Sequence, residues 1–226
     1  MITATSAEDF DLGIEITVGE AVSFPYKVVK RFLNSLSFQE RASNAYWRVN
    51  SARSIVLIGM MGAGKSSVGR CLQRRTRLAR FDTDEIVSSK FGLSISEIFS
   101  THGERRFREV EAKALVELAP KGFGAIIVTG GGIVLRQENV DLLKQLGTIV
   151  WLDANEETLF ERASRRSNRP LLQTEDPRTT FSEMLRARAP HYAKVADIRV
   201  DTSALTRDEI ADVILSKVKE LVTTRK

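Results

Sequence analysis

The stretch GMMGAGKSSVGR, residues 59–70, constrains the fold of this chain most, because it directly follows the apolar run SIVLI at 54–58. A short apolar run that ends at turn residues is typical of a buried strand. The glycines then predict a tight turn, and the residues from Lys65 to Thr76 predict a helix. The sequence therefore predicts a strand, a glycine-rich loop and a helix in direct succession.

The same stretch carries a phosphate-binding pattern. Residues 59–66 fit G-x-x-x-x-G-K-[ST], which in a strand–loop–helix context binds the phosphates of a nucleoside triphosphate. Glycines let the backbone aim its N–H groups at a phosphate, and the helix N-terminus adds partial positive charge. Lys65 can reach the β- and γ-phosphates, and the Ser66 hydroxyl can ligate Mg²⁺. The alternative is a glycine-rich turn before an ordinary helix, and the flanking pattern disfavours it.

Strand-like and helix-like segments alternate from residue 53 to the end of the chain. The strands are short, apolar and mostly without polar alternation, which predicts that both faces of the sheet are covered. This pattern predicts an α/β fold with a mostly parallel sheet, whose ligands bind at the carboxyl ends of the strands. Locally, we expect Asn155 to cap one helix, Thr206 and Glu209 to form a capping box, and another helix to end before Pro190.

Two aspartates in FDTD follow the next predicted strand. Because side chains alternate along a strand, Asp82 and Asp84 are predicted to lie on the same side. One acid could support Mg²⁺, directly or through water, and the other could orient or deprotonate an acceptor hydroxyl. A pair of aspartates that cap a turn is an equally good explanation of this segment alone.

The segment GERRFREVE falls within a predicted helix. Arg108 and Glu111 lie three positions apart and therefore on one helical face. Phe107 stands among charged residues, which indicates that this segment docks against the rest of the protein. The two arginines before Phe107 are better explained as part of a solvated, charged surface.

Two loops complete the candidate site segments. VTGGGIV at 128–134 places three glycines after a buried strand, which is expected where the backbone must approach a ligand or another chain closely. RRSNRPLLQTEDP at 165–177 has basic residues followed by two prolines, which indicates a mobile cationic lid over polyphosphate. A flexible loop and an ordinary surface loop are the respective alternatives.

Taken together, these segments resemble the shikimate kinase family. The resemblance rests on GMMGAGKSSVGR, FDTD, GERRFREVE, TGGG, RPLL, RAPHYAKVAD and VDTS, which occur in this order. It covers about residues 53–221, and the set is highly specific although only the first motif is specific alone. It implies a three-layer P-loop kinase fold, with a mostly parallel five-stranded sheet flanked by helices and a mobile lid.

The resemblance also implies a reaction, the ATP-dependent phosphorylation of the 3-hydroxyl of shikimate in aromatic amino acid biosynthesis, with Mg²⁺ as cofactor. Lys65, Asp84 and Arg169 would be catalytic, and Ser66 and Asp82 would hold the metal ion. ATP would bind to the loop and the lid arginine, at Gly62, Ala63, Gly64, Lys65, Ser66, Ser67 and Arg169. Shikimate would contact an acid, two arginines and three backbone glycines, at Asp84, Arg108, Arg188, Gly130, Gly131 and Gly132.

The chemistry of the substrate agrees with these roles. Asp84 would orient or deprotonate the acceptor hydroxyl, and Arg108 and Arg188 would bind the shikimate carboxylate. Arginine supplies the planar cationic fork that matches a carboxylate. The segment around Asp201 and Thr202 would lie near the adenine base.

The first fifth of the chain differs from the rest. Residues 1–50 are interpreted as an N-terminal extension, and residues 51–226 as the kinase domain. Apolar residues at helical spacing predict a helix at about 26–47. Packing on the domain, association with a partner and mobility all stay open as roles of the extension.

Composition excludes several classes of protein. Hydrophobic residues make up 42% and charged residues 28% of the chain, and no apolar run approaches the ~20 residues of a membrane span. The net charge of +5 comes from basic residues interleaved with acids, which disfavours a nucleic acid partner. The single cysteine, Cys71, cannot form an internal disulfide, which favours the cytoplasm. We expect a monomer whose partners are shikimate and ATP.

Two other functions stay open at this point. One is a related small-molecule kinase with another hydroxy-acid acceptor, such as a gluconate-type kinase. The other is a non-catalytic nucleotide-binding or interaction module. Lys65 and Asp84 count against the module, whereas Arg108, Arg188 and the glycine triplet favour a cyclic carboxylate as the acceptor.

Overall fold

The computed structural model describes residues 15–17, 23–25, 53–118, 124–165 and 169–224. The chain divides into two units, Met1–Ala45 and Tyr46–Lys226. In the first unit, strand β1 (Glu15–Thr17) pairs with β2 (Ser23–Pro25) in an antiparallel hairpin. The helix predicted at 26–47 and the domain boundary predicted at residue 50 lie outside the described residues.

Five parallel strands form the sheet of the second unit, in the order β4–β5–β3–β6–β7. Their bounds are Ser54–Ile58 for β3, Arg80–Asp82 for β4, Ile126–Val128 for β5, Gly147–Asp153 for β6 and Ile198–Asp201 for β7. The α/β prediction is confirmed, and every strand pairing in this sheet is parallel.

Helices connect and flank these strands. The α-helices are Lys65–Thr76 (α1), Thr83–Phe91 (α2), Ile95–Leu118 (α3), Gln137–Leu146 (α4), Glu156–Ser164 (α5), Pro177–Val195 (α6) and Arg207–Thr224 (α7). Short 3₁₀ helices lie at Ile133–Leu135 and Pro170–Leu172. Within the described part of the chain, no helix combines the length and apolar character needed to cross a membrane.

The central strands are buried on both faces, which explains their continuous apolar sequences. Every residue of β3 and β5 is buried, whereas the edge strand β7 alternates between buried and exposed residues. Full burial of each large aliphatic side chain stabilises the fold by about 1.5–3 kcal/mol. Because β3 lies at the centre of the sheet, the loop after it reaches the middle of the edge where ligands of such sheets bind.

The predicted helix caps are confirmed. The Asn155 side chain accepts a hydrogen bond from the backbone N–H of Thr158, 2.8 Å away, at the start of α5. Before α7, the Glu209 carboxylate accepts from the Thr206 N–H at 2.8 Å, and the Thr206 hydroxyl accepts from the Glu209 N–H at 3.3 Å. These bonds satisfy N–H groups that have no partner within the helix, so they fix where each helix begins.

The prediction that Asp82 and Asp84 alternate along one strand is wrong. Strand β4 ends at Asp82 and helix α2 begins at Thr83. Asp82 is the N-cap of α2, and its carboxylate accepts a hydrogen bond from the N–H of Asp84 at 3.2 Å. The two acids are therefore brought together by a helix start rather than by strand alternation.

The prediction that a helix ends before Pro190 is also wrong, because α6 continues to Val195. A proline inside a helix removes one hydrogen bond and costs about 3 kcal/mol. Buried side chains lie on both sides of this proline, including Phe181, Arg188 and Tyr192. Their packing holds the helical path against the local preference of the proline.

Helix α3 bends at Gly103, which has φ 74° and ψ 165°, a conformation that only glycine adopts readily. A small hydrophobic cluster, separate from the main core, lies around this bend and consists of Val87, Ile98, Phe107 and Val110. The predicted docking of Phe107 is confirmed by its 3% exposure. The bend and the cluster together position the next residue, Arg108.

Candidate active site

The loop between β3 and α1 turns tightly around its own glycines. Gly62 has φ +86°, and a Cβ atom there would overlap the backbone carbonyl of Leu159. Gly64 is the N-cap of α1, with φ 88°. A side chain other than glycine would therefore be strained at Gly64 and would also collide at Gly62. The loop brings the N-terminus of α1 to the carboxyl end of the central strand, as predicted.

Lys65 lies buried at the base of this loop. Its ammonium group donates hydrogen bonds to the carbonyl oxygens of Gly59 at 2.8 Å and Met60 at 3.0 Å. Burial lowers the pKa of Lys65 to about 8, although the nearby Asp84 carboxylate acts in the opposite direction. The loop thus holds a cation whose charge is sensitive to pH just above neutrality.

Ser66 and Asp82 lie next to each other. Burial raises the pKa of Asp82, with Asp84 adding to the rise, while a hydrogen bond from the Ser66 hydroxyl acts against it. Arg80 also approaches the Asp82 carboxylate, with its guanidinium nitrogen 3.4 Å away. A hydroxyl beside a buried carboxylate is the oxygen donor set that P-loop enzymes offer to Mg²⁺, whose other ligands are phosphate oxygens and water. The residues present therefore fit a magnesium ion.

A cavity of about 730 Å³ opens beside the phosphate-binding loop. This volume lies within the range of roughly 300–1,000 Å³ that is common for ligand sites. Its lining includes all the predicted ATP-binding residues, Gly62, Ala63, Gly64, Lys65, Ser66, Ser67 and Arg169, together with Asp84 and Gly131. The cavity thus brings together the loop, one acid of FDTD and one glycine of the triplet.

Asp84 lines this cavity and carries one unpartnered oxygen. Its Oδ1 atom is buried and has no hydrogen-bond partner within the protein. Burial raises the pKa of Asp84, while Lys65, Arg108 and Arg169 act in the opposite direction. An unpaired buried acceptor is costly in a folded protein, so its retention at a cavity indicates that it binds a ligand group.

Arg108 is held between two carboxylates of its own helix. It donates hydrogen bonds to Glu111 at 2.8 Å and to Glu104 at 2.9 Å. Its side chain is 12% exposed, and that of Glu111 is fully buried. The shared helical face predicted for Arg108 and Glu111 is confirmed, and Arg105 is 93% exposed, as expected for a solvated surface position.

The glycine triplet packs directly against these charged groups. A Cβ atom on Gly132 would overlap the Arg108 guanidinium, and one on Gly130 would overlap Glu111 and lie 2.8 Å from Asp84 Oδ1. Two of the three glycines thus pack tightly against side chains of the same chain, and the predicted approach of their backbone to a ligand stays a prediction. A Cβ on Gly131 would meet only ordinary contacts, with Arg188 at 3.6 Å.

Arg188 is buried, with 6% of its surface exposed, and its guanidinium lies beside Gly131. Both Arg188 and Arg108 lower the pKa of Glu111 against the larger effect of burial. The two predicted carboxylate-binding arginines therefore both lie near the Glu111 carboxyl group, although they come from different helices. The lining of the cavity does not include Asp82, Arg108, Gly130, Gly132 or Arg188.

Several residues that face this site were not predicted. The cavity lining also includes Arg162 and the segment 205–208, rather than Asp201 or Thr202 themselves. Arg162 donates to the hydroxyl of Thr202 at 3.2 Å and to its carbonyl at 3.0 Å. The sequence signal for the segment 205–208 was the capping box at Thr206, which predicted that a helix begins there.

A model of the family described as shikimate kinase matches residues 61–219 of this chain. The chain belongs to the shikimate kinase family. A shikimate kinase from Thermodesulfovibrio yellowstonii is 44% identical over 169 residues, which cover 75% of this chain and 96% of that protein. One from Symbiobacterium thermophilum is 40% identical over 169 residues, covering 74% and 97%.

Solved structures agree with this assignment. A shikimate kinase from Acinetobacter baumannii, solved in complex with shikimate, is 34% identical with a TM-score of 0.74 and covers 79% of this chain and 97% of its own. The family and the P-loop kinase fold predicted from the motifs are confirmed. The phosphorylation of shikimate by ATP follows from this membership, so the chain is a shikimate kinase by family.

Proposed function

We propose that this shikimate kinase transfers the γ-phosphoryl group of ATP to the 3-hydroxyl of shikimate through Lys65, Asp84 and Arg169. The observation that carries the proposal is the shared cavity, which is lined by the phosphate-binding loop, Asp84, Arg169 and Gly131 of the glycine triplet. Donor and acceptor groups can thus lie within one cavity. Catalysis then consists mainly of positioning and charge neutralisation.

On the donor side, the loop N–H groups bind the phosphates and Lys65 pairs with the transferred group. Its ammonium already lies at the base of the loop on two carbonyl oxygens. Exchange of those carbonyls for phosphate oxygens strengthens its hydrogen bonds, because charged acceptors bind an ammonium more tightly. Arg169 faces the same cavity and neutralises charge on the opposite side of the phosphates.

We assign Ser66 and Asp82 to the magnesium ion that accompanies ATP. When bound, Mg²⁺ would supply positive charge that neutralises the phosphates of ATP. Ser66 offers its hydroxyl, and Asp82 offers a carboxylate that already accepts a hydrogen bond from that hydroxyl. Among the described residues, no group of three or more His, Cys, Asp or Glu side chains forms a metal site by itself. The phosphates are therefore needed to complete the coordination.

On the acceptor side, Asp84 binds the 3-hydroxyl through its unpartnered Oδ1 atom. The hydroxyl oxygen forms a bond to the γ-phosphorus as the bond to the bridging oxygen of ADP breaks, and Asp84 takes up the hydroxyl proton. Burial raises the pKa of Asp84, which makes its carboxylate a better proton acceptor than an exposed aspartate.

The shikimate carboxylate pairs with Arg108 and Arg188. Arg108 is fixed in orientation by its hydrogen bonds to Glu111 and Glu104. Arg188 lies beside Gly131 of the glycine triplet, whose backbone forms the floor under the sugar-like ring. Two arginines on separate helices bind the acid at one end of the ring while Asp84 holds the hydroxyl to be phosphorylated.

The position of phosphorylation is tested by nuclear magnetic resonance of the product. Phosphorus–proton correlation spectra should show coupling to the proton on carbon 3 of shikimate. Coupling to a different ring proton would contradict the placement of Asp84 beside the 3-hydroxyl. An Asp84→Asn variant should retain ATP binding and lose most turnover, because it keeps the shape and loses the proton acceptor.

We further propose that the enzyme acts as a monomer in the cytoplasm. All residues assigned to the reaction come from one copy of the chain, and the single cysteine is compatible with a reducing compartment. Light scattering during size-exclusion chromatography measures the mass directly. A mass near 25.3 kDa is expected, and a stable dimer mass would overturn the monomer assignment.

A further inference from the structure

We propose that Thr83 and Tyr192 are positioning residues that hold the glycine triplet in the conformation required for shikimate. This inference rests on the proposed function, because it assigns these two side chains to the acceptor half of the same site. Neither residue lines the cavity. Each reaches the triplet through one buried hydroxyl group.

Thr83 holds the first glycine of the triplet. It is fully buried, and its hydroxyl accepts a hydrogen bond from the backbone N–H of Gly130 at 3.1 Å. The bond joins the start of α2 to the end of the neighbouring strand β5. Because Thr83 lies between Asp82 and Asp84 in the chain, it fixes the triplet relative to both proposed functional acids.

Tyr192 holds the second glycine from the opposite direction. It is fully buried in α6, and its phenol donates a hydrogen bond to the carbonyl oxygen of Gly131. Burial raises the pKa of Tyr192 to about 12, so the phenol keeps its proton at any working pH. Arg188 lies close enough to lower the pKa of the same phenol against the larger effect of burial, which connects the triplet to a proposed carboxylate-binding arginine.

A run of three glycines needs such outside support. Glycine has the largest backbone freedom of any residue, and ordering one residue costs roughly 1–2 kcal/mol. The bond to Thr83 holds the peptide unit before Gly130, and the bond from Tyr192 holds the peptide unit after Gly131. Together they fix the peptide unit that joins Gly130 to Gly131. Since a peptide is planar and trans, directing the Gly131 carbonyl toward Tyr192 also directs the Gly132 N–H away from it.

The test uses Thr83→Val and Tyr192→Phe, which remove one hydroxyl each at nearly constant shape. Loss of one buried hydrogen bond should raise the KM for shikimate about three- to tenfold while the KM for ATP changes less than about twofold. Thr83→Ser keeps the hydroxyl and should restore most of the shikimate affinity. The shikimate Kd, measured by calorimetry, should follow the KM.

Thr76→Val is the matched control for lost stability. Thr76 is also fully buried, and its hydroxyl donates to Leu72 at 2.8 Å and accepts from the Leu78 N–H at 3.2 Å, at the far end of α1. We expect it to lower the melting temperature and leave the KM for shikimate at the parental value. If Thr83→Val only lowered the melting temperature in the same way, its role would be structural and the inference would be wrong.

The double variant Thr83→Val/Tyr192→Phe sharpens the result. If both hydroxyls act on one loop, their effects on shikimate affinity should be less than additive, because the first loss already frees the triplet. Fully additive or absent effects would overturn the inference. Failure of the proposed function is separate, because it would appear in the parent enzyme as no shikimate-dependent ADP release.

Discussion

The nucleotide half and the acceptor half of this site are built in different ways. Most of the nucleotide half is one continuous segment, Gly59–Ser67, which joins the central strand to the helix that follows, and Asp82 and Arg169 are added from elsewhere in the chain. The acceptor half collects Asp84, Arg108, the glycine triplet and Arg188 from four separate parts of the chain. A continuous loop carries its function in its own sequence, whereas a site collected from separate segments depends on the packing that brings them together.

The two halves also differ in how they carry charge. The loop uses backbone N–H groups and one buried lysine that hydrogen-bonds to the loop itself. The acceptor half uses a buried ion pair, Arg108 with Glu111, behind the triplet. Breaking a buried pair by removing one partner costs about 3–5 kcal/mol, so stability and function are coupled more strongly in the acceptor half.

Lys65→Met should have the largest effect and should be confined to the nucleotide half. It removes the charge that pairs with the transferred phosphoryl group, so kcat should fall roughly 10²- to 10³-fold. Steady-state kinetics measure the loss, and calorimetry measures shikimate binding. A parental shikimate Kd is expected, and a large rise in that Kd would contradict the separation of the two halves.

Arg108→Leu should damage the acceptor half. We expect kcat/KM for shikimate to fall about 100-fold, because a charge-assisted contact is lost and buried Glu111 is left unpaired. The KM for ATP should change little. Arg105→Leu is the matched control on the same helix, since that side chain is 93% exposed and should leave the kinetics unchanged.

A second variant separates binding from stability at this position. Arg108→Leu/Glu111→Gln replaces the uncompensated carboxylate by a neutral amide, so it should recover melting temperature without recovering shikimate affinity. Recovery of both would mean that Arg108 acts only through stability and does not bind the substrate carboxylate.

Gly132→Ala should have a smaller effect on the same half. Its new methyl group would overlap the Arg108 guanidinium and displace it, so the KM for shikimate should rise about tenfold. In Gly131→Ala the new methyl group would make only ordinary contacts, so the KM for shikimate should rise less. Steady-state kinetics of both variants measure the KM for shikimate. A larger rise for Gly131→Ala than for Gly132→Ala would show that the triplet does not position Arg108.

The pH dependence of ATP binding gives the mildest test of the nucleotide half. The pKa of Lys65 in the free enzyme is about 8, so the ammonium is charged below that pH and loses its proton above it. If bound phosphate keeps the lysine protonated, ATP affinity should fall roughly tenfold between pH 8 and 9.5. Calorimetry should also show proton uptake on binding at pH 9, and constant affinity with no uptake would contradict the assigned pKa.

The sequence predicted the structure best where the deciding contacts join residues that are close together in the chain. The loop at Gly59–Ser67, the cap at Asn155 and the capping box at Thr206 depend on residues a few positions apart, and all three have the predicted form. Pro190 was misleading because its local preference is overridden by the burial of neighbours such as Tyr192.

The motifs named residues for the acceptor half but did not predict the contacts that hold them together. The contact of Thr83 with Gly130 spans 47 positions, and that of Tyr192 with Gly131 spans 61. Such contacts follow from the strand order and from how α6 packs, which no local pattern specifies. The roles of the individual site residues remain predictions that the variants above test.

The most direct measurement is ADP release from Mg-ATP with shikimate, quinate or gluconate as the acceptor, or with none. We expect fast release with shikimate, little with quinate or gluconate, and slow hydrolysis without an acceptor. Comparable release with gluconate would contradict the assigned acceptor half. ATP binding without release under any condition would contradict the assignment of Lys65 and Asp84 to phosphoryl transfer.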